Sequence, residues 1–118
     1  MIKSLAACCL VLASAASAQE ASLAPGAVLR GLDKFNGQTV DIEMNAGTNT
    51  VFGRLSITLT ECRYPAGNPS GDAFAALQIT EEGKSDPVFS GWMIASAPAL
   101  SAMDHPRYDV WVMRCITS

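Results

Sequence analysis

The sequence predicts an all-β domain, a small antiparallel sandwich or partly open barrel with one short helical turn near 98–104. Three observations carry that expectation. Apolar residues recur at every second position over most of the chain, the pattern of strands with one buried face. Gly, Asn and Pro cluster between these runs at intervals of about 8–12 residues, the spacing of folds made of short strands and turns. One stretch, opened by Pro98 and closed by Pro106, breaks the period of two.

The first residues read as an address. Met1, Ile2 and Lys3 make a short positive start, Leu5 to Leu12 form an apolar run, and Ala16-Ser17-Ala18 before Gln19 is a small-x-small cleavage pattern. A signal peptide over 1–18, cleaved on export, is therefore expected. The apolar run falls short of the roughly 20 residues that span a bilayer. Leu5-Ala6-Ala7-Cys8 resembles a lipidation box, but too few residues precede Cys8 for both a charged start and an apolar core, which leaves Cys8 and Cys9 as small apolar members of the signal.

Of 118 residues, 100 remain after cleavage, enough for one core and too few for two. A polar, alanine-rich leader over 19–26 should be loose, and a single β domain should occupy 27–118. Val28 to Asp33 reads as the first strand, and Thr39 to Met44 as the second, with Val40, Ile42 and Met44 inward. Asn36-Gly37 and Asn45-Ala46-Gly47 are the turns that follow them, because Asn and Gly accept positive φ. Val51 to Glu61 alternates Leu55, Ile57 and Leu59 against Ser56, Thr58 and Thr60, and Gly53 marks a bend between two shorter strands.

Two prolines and two glycines make Tyr64 to Asp72 an exposed connection. Ala73 to Thr80 returns to strand, and a charged turn over 81–86 leads to Val88–Ile94. Pro98 suits a first helical turn, since its missing N–H would be unpaired there, and Pro106 ends the turn. The last strand, Tyr108 to Ile116, places Trp111, Met113 and Cys115 on one face and Val110, Val112 and Arg114 on the other.

Export leaves two cysteines, Cys62 and Cys115, and thiols in an oxidising compartment pair. Their disulfide is expected to staple the domain. Parity raises a difficulty: Cys62 lies in phase with Ser56, Thr58 and Thr60, so a bulge before Cys62 or a place at the sheet's edge is required. Loss of Lys3 takes the net charge from −3 to −4, and an acidic chain with no basic cluster is poorly suited to nucleic acid or an anionic lipid surface.

Residues able to carry chemistry concentrate late. Ser96 or Ser101 with His105 and Asp104 or Asp109 supply the ingredients of a serine hydrolase, but no G-x-S-x-G elbow accompanies them. The structural alternative has His105 and Asp109 tie the Pro106 loop to the next strand, or His105 sit charged at the carbonyl end of the short helix. Trp92 and Trp111 read as core anchors; the competing role is a groove lined by both, with Met93 and Met103 beside them. The binding set is Trp92, Met93, His105, Tyr108 and Trp111. Asp33, Asp41 and Glu43 lack the spacing of a calcium loop and read as a solvated strand face, while Arg107 and Arg114 should partly pair with Asp104 and Asp109. One histidine and two distant cysteines make no zinc site, and no cofactor is expected.

The string FSGWMIASAPALSAMDHPRYDVWVMRC, with Leu32-Asp33-Lys34 and the segment Phe52-Gly53-Arg54-Leu55-Ser56-Ile57 to Cys62, resembles the DUF2155 family over nearly all of the exported chain. Two positions depart from the family pattern: Ala97 stands where a second serine is common, which weakens a serine mechanism, and Asp104 replaces a glutamate. The resemblance implies an exported alphaproteobacterial protein of the periplasm. Through genes that neighbour one for a complex I assembly or accessory subunit, it also implies a partner on a respiratory membrane complex. The resulting expectation is a non-enzymatic binding or accessory protein with a protein partner and no membrane span after cleavage. A small hydrolase using His105, and a module for an apolar or cell-wall ligand, stand as alternatives.

Overall fold

The computed structural model describes residues 20–117, so the expected signal peptide, with Cys8 and Cys9, lies outside the described residues. Eight strands follow in order: β1 Ala21–Ala24, β2 Gly26–Asp33, β3 Gln38–Asn45, β4 Thr48–Phe52, β5 Leu55–Pro65, β6 Phe74–Glu81, β7 Phe89–Ile94 and β8 Tyr108–Ile116. One 3-10 turn, Pro98–Ser101, interrupts them. They form two antiparallel sheets rather than a closed barrel. A five-stranded sheet runs β1-β5-β6-β7 with β4 also on β5, and a three-stranded sheet runs β3-β2-β8.

The core fills the space between the sheets, and alternation dictates its membership. From β5 and β6, Leu55, Ile57, Leu59, Ala75, Leu77 and Ile79 point inward; Leu29, Val110 and Val112 answer from the smaller sheet. Gly53 supplies the bend expected between β4 and β5. Its φ of +59° is a conformation that a Cβ disfavours, and a Cβ there would also lie 2.8 Å from ring carbons of Tyr108.

Four local expectations need correction. The leader is not loose throughout, because Ala21–Ala24 pairs with Arg63, Cys62 and their neighbours at the end of β5. That edge of β5 is free beyond β4, and unpaired main-chain groups there accept a further strand. Val40 is 45 % exposed, since β3 is the outer strand of the smaller sheet and only Met44 on it is fully buried. The helical stretch ends at Ser101, and Ala102 is already extended (ψ 139°), so the chain reaches Pro106 without a second turn. The connection after Tyr64 begins later, because β5 continues to Pro65.

The disulfide joins β5 to β8 and thus one sheet to the other, with an S–S distance of 2.06 Å and Cα atoms 5.8 Å apart. Two bulges solve the parity problem. On β5 the register passes from Leu59↔Leu77 to Glu61↔Ala76, which skips Thr60 and turns Cys62 inward. On β8 it passes from Val112↔Leu29 to Arg114↔Val28, which skips Met113 and turns Cys115 inward. The first bulge was anticipated. The second was not, because Trp111 was assigned to the face of Cys115; Val110 and Val112 are the buried pair and Trp111 faces outward, half-buried.

Candidate functional site

At one end of the sandwich, Asp33 closes β2 and Tyr108 opens β8 as register partners, which brings the β2–β3 turn against the loop before β8. Asp33 is 9 % exposed, and its carboxylate accepts from Arg107 Nη2 at 3.0 Å and from Arg107 Nε at 3.2 Å. The Arg107 guanidinium in turn lies 5.0 Å from both the Phe35 and the Tyr108 rings. Lys34 Nζ donates to the His105 carbonyl at 2.9 Å. Hydrogen bonding from Arg107 holds the Asp33 carboxyl below the usual carboxylate range against the opposing effect of burial.

His105 sits at the centre of this end. Its Nδ1 accepts the main-chain N–H groups of Arg107 at 3.0 Å and Tyr108 at 3.1 Å. Two donors on Nδ1 require an unprotonated nitrogen there, which puts the proton of the neutral ring on Nε2. That Nε2–H points at Glu81 Oε1, 2.8 Å away at the end of β6. The hydrogen bond from His105 holds the Glu81 carboxyl below its ordinary range. Tyr108 is buried beneath, edge-on to Phe52 at 5.5 Å, and its hydroxyl accepts the Arg54 N–H at 3.2 Å. The three segments Leu32-Asp33-Lys34, Phe52-Gly53-Arg54 and His105-Pro106-Arg107-Tyr108 therefore converge on one aromatic ring.

This wiring does not join His105 to either candidate serine. Both His105 ring nitrogens are occupied, and none of their three partners is a serine. Ser96 lies with Asp72 instead: its hydroxyl donates to Oδ2 at 2.6 Å and its N–H to Oδ1 at 2.9 Å. Burial opposes the Asp72 charge, yet the Ser96 hydroxyl with the Ser96 and Ala73 amides holds that carboxyl below its usual range. Ser101 belongs to the 3-10 turn. Asp109 makes no bond to His105 and lines a groove on β8; Asp104 lines a separate cavity with Glu81 and His105.

Other expected partners also change. Arg107 pairs with Asp33 rather than Asp104 or Asp109, because the chain direction at Pro106 sends it across to β2. His105 does not cap the 3-10 turn, because its ring nitrogens are taken by Glu81 and by the Arg107 and Tyr108 amides. Asp33 is no solvated strand residue, whereas Asp41 is exposed and pairs with Arg30 at 2.7 Å. Among the described residues no group of three or more His, Cys, Asp or Glu is placed to hold a metal ion. The residues that sequence reasoning passed over, Glu81, Asp72, Phe35 and Arg54, carry no local signal, because their partners come from distant strands.

The binding set divides. Met93 and Tyr108 are core residues, 3 % and 2 % exposed, and His105 holds its loop. The tryptophans are not the core anchors expected. Trp92 is 44 % exposed on β7 with the Arg63 guanidinium 5.8 Å from its ring, and Trp111 faces out of the smaller sheet. Alternation explains both, since Met93 and Val110 take the adjacent inward positions. Trp111 with Val110, Asp109, Pro98, Ala99 and Ala102 lines an open groove of about 310 Å³ between the 3-10 turn and β8. Leu100, on that turn, is 76 % exposed.

Among the described residues no helix is long and apolar enough to cross a membrane. No solved structure matches the chain. A curated relative, an uncharacterized protein of Rickettsia prowazekii (strain Madrid E), is 31 % identical over 87 residues, covering 71 % of this chain and 56 % of that protein. The chain thus accounts for little more than half the length of that relative. A family model described as an uncharacterized protein conserved in bacteria matches residues 27–115, and by that match the chain belongs to the DUF2155 family.

Proposed function

We propose that this protein is a non-enzymatic binding or accessory domain, exported to the periplasm, that holds a polypeptide partner on the periplasmic side of a membrane complex, a respiratory one in the first instance. The observation that carries the reading is the full occupancy of His105. With two amides on Nδ1 and Glu81 on Nε2, the one histidine is a brace, and Ser96 is tied to Asp72. What the late segment leaves open is contact surface: the groove beside Trp111 and the exposed Leu100 on the 3-10 turn whose Pro98 and Ala99 line that groove. An apolar floor with a small polar rim is the anatomy of a recognition surface. The inter-sheet disulfide supports the oxidising compartment.

The test is a photo-crosslinking residue at Leu100 in cells, followed by solubilisation of the membranes. An adduct to a second polypeptide, reduced by Trp111→Ala, is expected. Recovery of only free chain or of its own dimer would overturn the proposal.

The same groove favours a second reading, a small apolar or cell-wall ligand against Trp111, because about 310 Å³ is near the lower bound of small-molecule sites. Quenching or shifting of Trp111 fluorescence by such a ligand in the purified protein, retained in Trp92→Phe and lost in Trp111→Phe, would favour it over a protein partner.

A further inference from the structure

We propose that segment 104–107 is a latch opened by mild acid, because the side chain that closes it is a histidine used as a hydrogen-bond acceptor. Turns of this kind are ordinarily closed by Asn, Asp, Ser or Thr, whose side-chain oxygen accepts main-chain N–H groups a few residues on. Such an oxygen keeps that capacity in mild acid. Here His105 Nδ1 takes its place and accepts the amides of Arg107 at 3.0 Å and Tyr108 at 3.1 Å, two and three residues on. An imidazole nitrogen is the acceptor that protonation removes between neutrality and the carboxylate range.

Donor count decides what protonation does. A charged imidazolium has two N–H donors and no acceptor, so no rotation of the ring restores a partner to the two amides. Nε2–H keeps Glu81 Oε1 at 2.8 Å in either state, and a charge on the ring strengthens that bond. The ring therefore stays and the main chain leaves. With the His105 side chain only 10 % exposed, the two freed amides must move to reach water.

Charges around the ring set the pH of the transition and not its outcome. Glu81 of β6, Asp86 on the following turn and Asp104 in the loop line one cavity with His105 and favour the cation, while Lys84 in that cavity opposes it. Arg107 and Lys34, whose Nζ meets the His105 carbonyl at 2.9 Å, oppose it too, and Asp33 is paired with Arg107. From the β4–β5 bend comes Arg54, whose N–H meets the Tyr108 hydroxyl; the Tyr108 ring lies 5.3 Å from the imidazole. Movement is confined to a short piece of chain. Met103 is buried on one side, and Lys34 N–H holds the Arg107 carbonyl at 2.7 Å on the other. The closed latch excludes a proton that the open one binds, so the ratio of open to closed rises as pH falls, by up to about tenfold per pH unit.

The test is nuclear magnetic resonance of the purified protein with its disulfide formed, titrated from about pH 8 to about pH 5. The His105 ring should carry its proton on Nε2 at the start. Its second proton and the shifts of the Arg107 and Tyr108 amides should then follow one midpoint. Amide exchange at 107 and 108, corrected for its intrinsic pH dependence, should rise by up to about tenfold per pH unit while the amides of β2 stay protected. His105→Asn, which offers an oxygen acceptor that does not titrate, should hold both amides through the same range. A ring that charges with both amides unchanged, a ring that stays neutral down to the carboxylate range, amides that respond equally in His105→Asn, or loss of protection in β2 at the same midpoint would each overturn the proposal.

Discussion

Glu81 and His105, 24 residues apart, meet at 2.8 Å with the imidazole N–H donating to the carboxylate, and the opposite ring nitrogen accepts two main-chain amides. One side chain thereby fixes the end of β6 to the start of β8. Replacing His105 by Ala strands the Arg107 and Tyr108 amides, and an unmet buried donor costs about 1–3 kcal/mol. Thermal or urea denaturation should show His105→Ala destabilised by about 2 kcal/mol or more. A change within about 0.5 kcal/mol would contradict the bracing role.

Acid should loosen the same end. Asp33 and Glu81 have carboxyls held below their unfolded range, by Arg107 and His105 respectively. A depressed folded pKa contributes stability that is complete above the unfolded carboxylate pKa and is lost as pH falls through the folded one. Stability should therefore be insensitive to these groups at neutral pH and fall below about pH 4. Asp33→Asn should flatten the acid limb of a stability–pH curve, and an unchanged slope would remove Asp33 from the account.

The Cys62–Cys115 bond spans 53 residues. On the chain-entropy treatment a loop of that size contributes about 4 kcal/mol. The double serine variant should lose most of that in denaturant titration, and wild-type protein in reductant should approach it. Equal stability with and without the bond would show that packing alone holds the two sheets.

Gly53 and Tyr108 set a steric test. A Cβ at position 53 needs a disfavoured φ and meets the Tyr108 ring, so Gly53→Ala should cost about 1–3 kcal/mol. Tyr108→Phe, which removes only the hydroxyl that receives Arg54 N–H, should cost about 1 kcal/mol. Combining Gly53→Ala with Tyr108→Phe should be less than additive, because the residues touch.

Exposure orders the aromatic substitutions. Trp92→Ala should change stability by less than about 1 kcal/mol, because 44 % of the residue is in water. Leu77→Ala, at 3 % exposure, should cost about 2–4 kcal/mol. The reverse order would restore Trp92 to the core.

Local chemistry made much of this legible. Alternation placed Leu55, Ile57 and Leu59 on one buried face, and the bounds of β8 came directly from Tyr108 to Ile116. The site was less legible. Asp33, Glu81 and Asp72 became partners of Arg107, His105 and Ser96 only through strand order, and no spacing along the chain encodes that order. The tryptophans misled because hydrophobicity does not choose a face.

By itself the sequence determined the fold class and most of the strands and turns, which follow from residue type and a period of two; it also offered the pairing of its two late cysteines and carried the motifs that resemble the family. Which face of β8 is buried, how two bulges bring the sulfurs together, and what His105 holds were decided only by the tertiary structure. A one-residue shift in register reverses every side chain beyond it, and that shift is set by the neighbouring strand, not by the residues that undergo it.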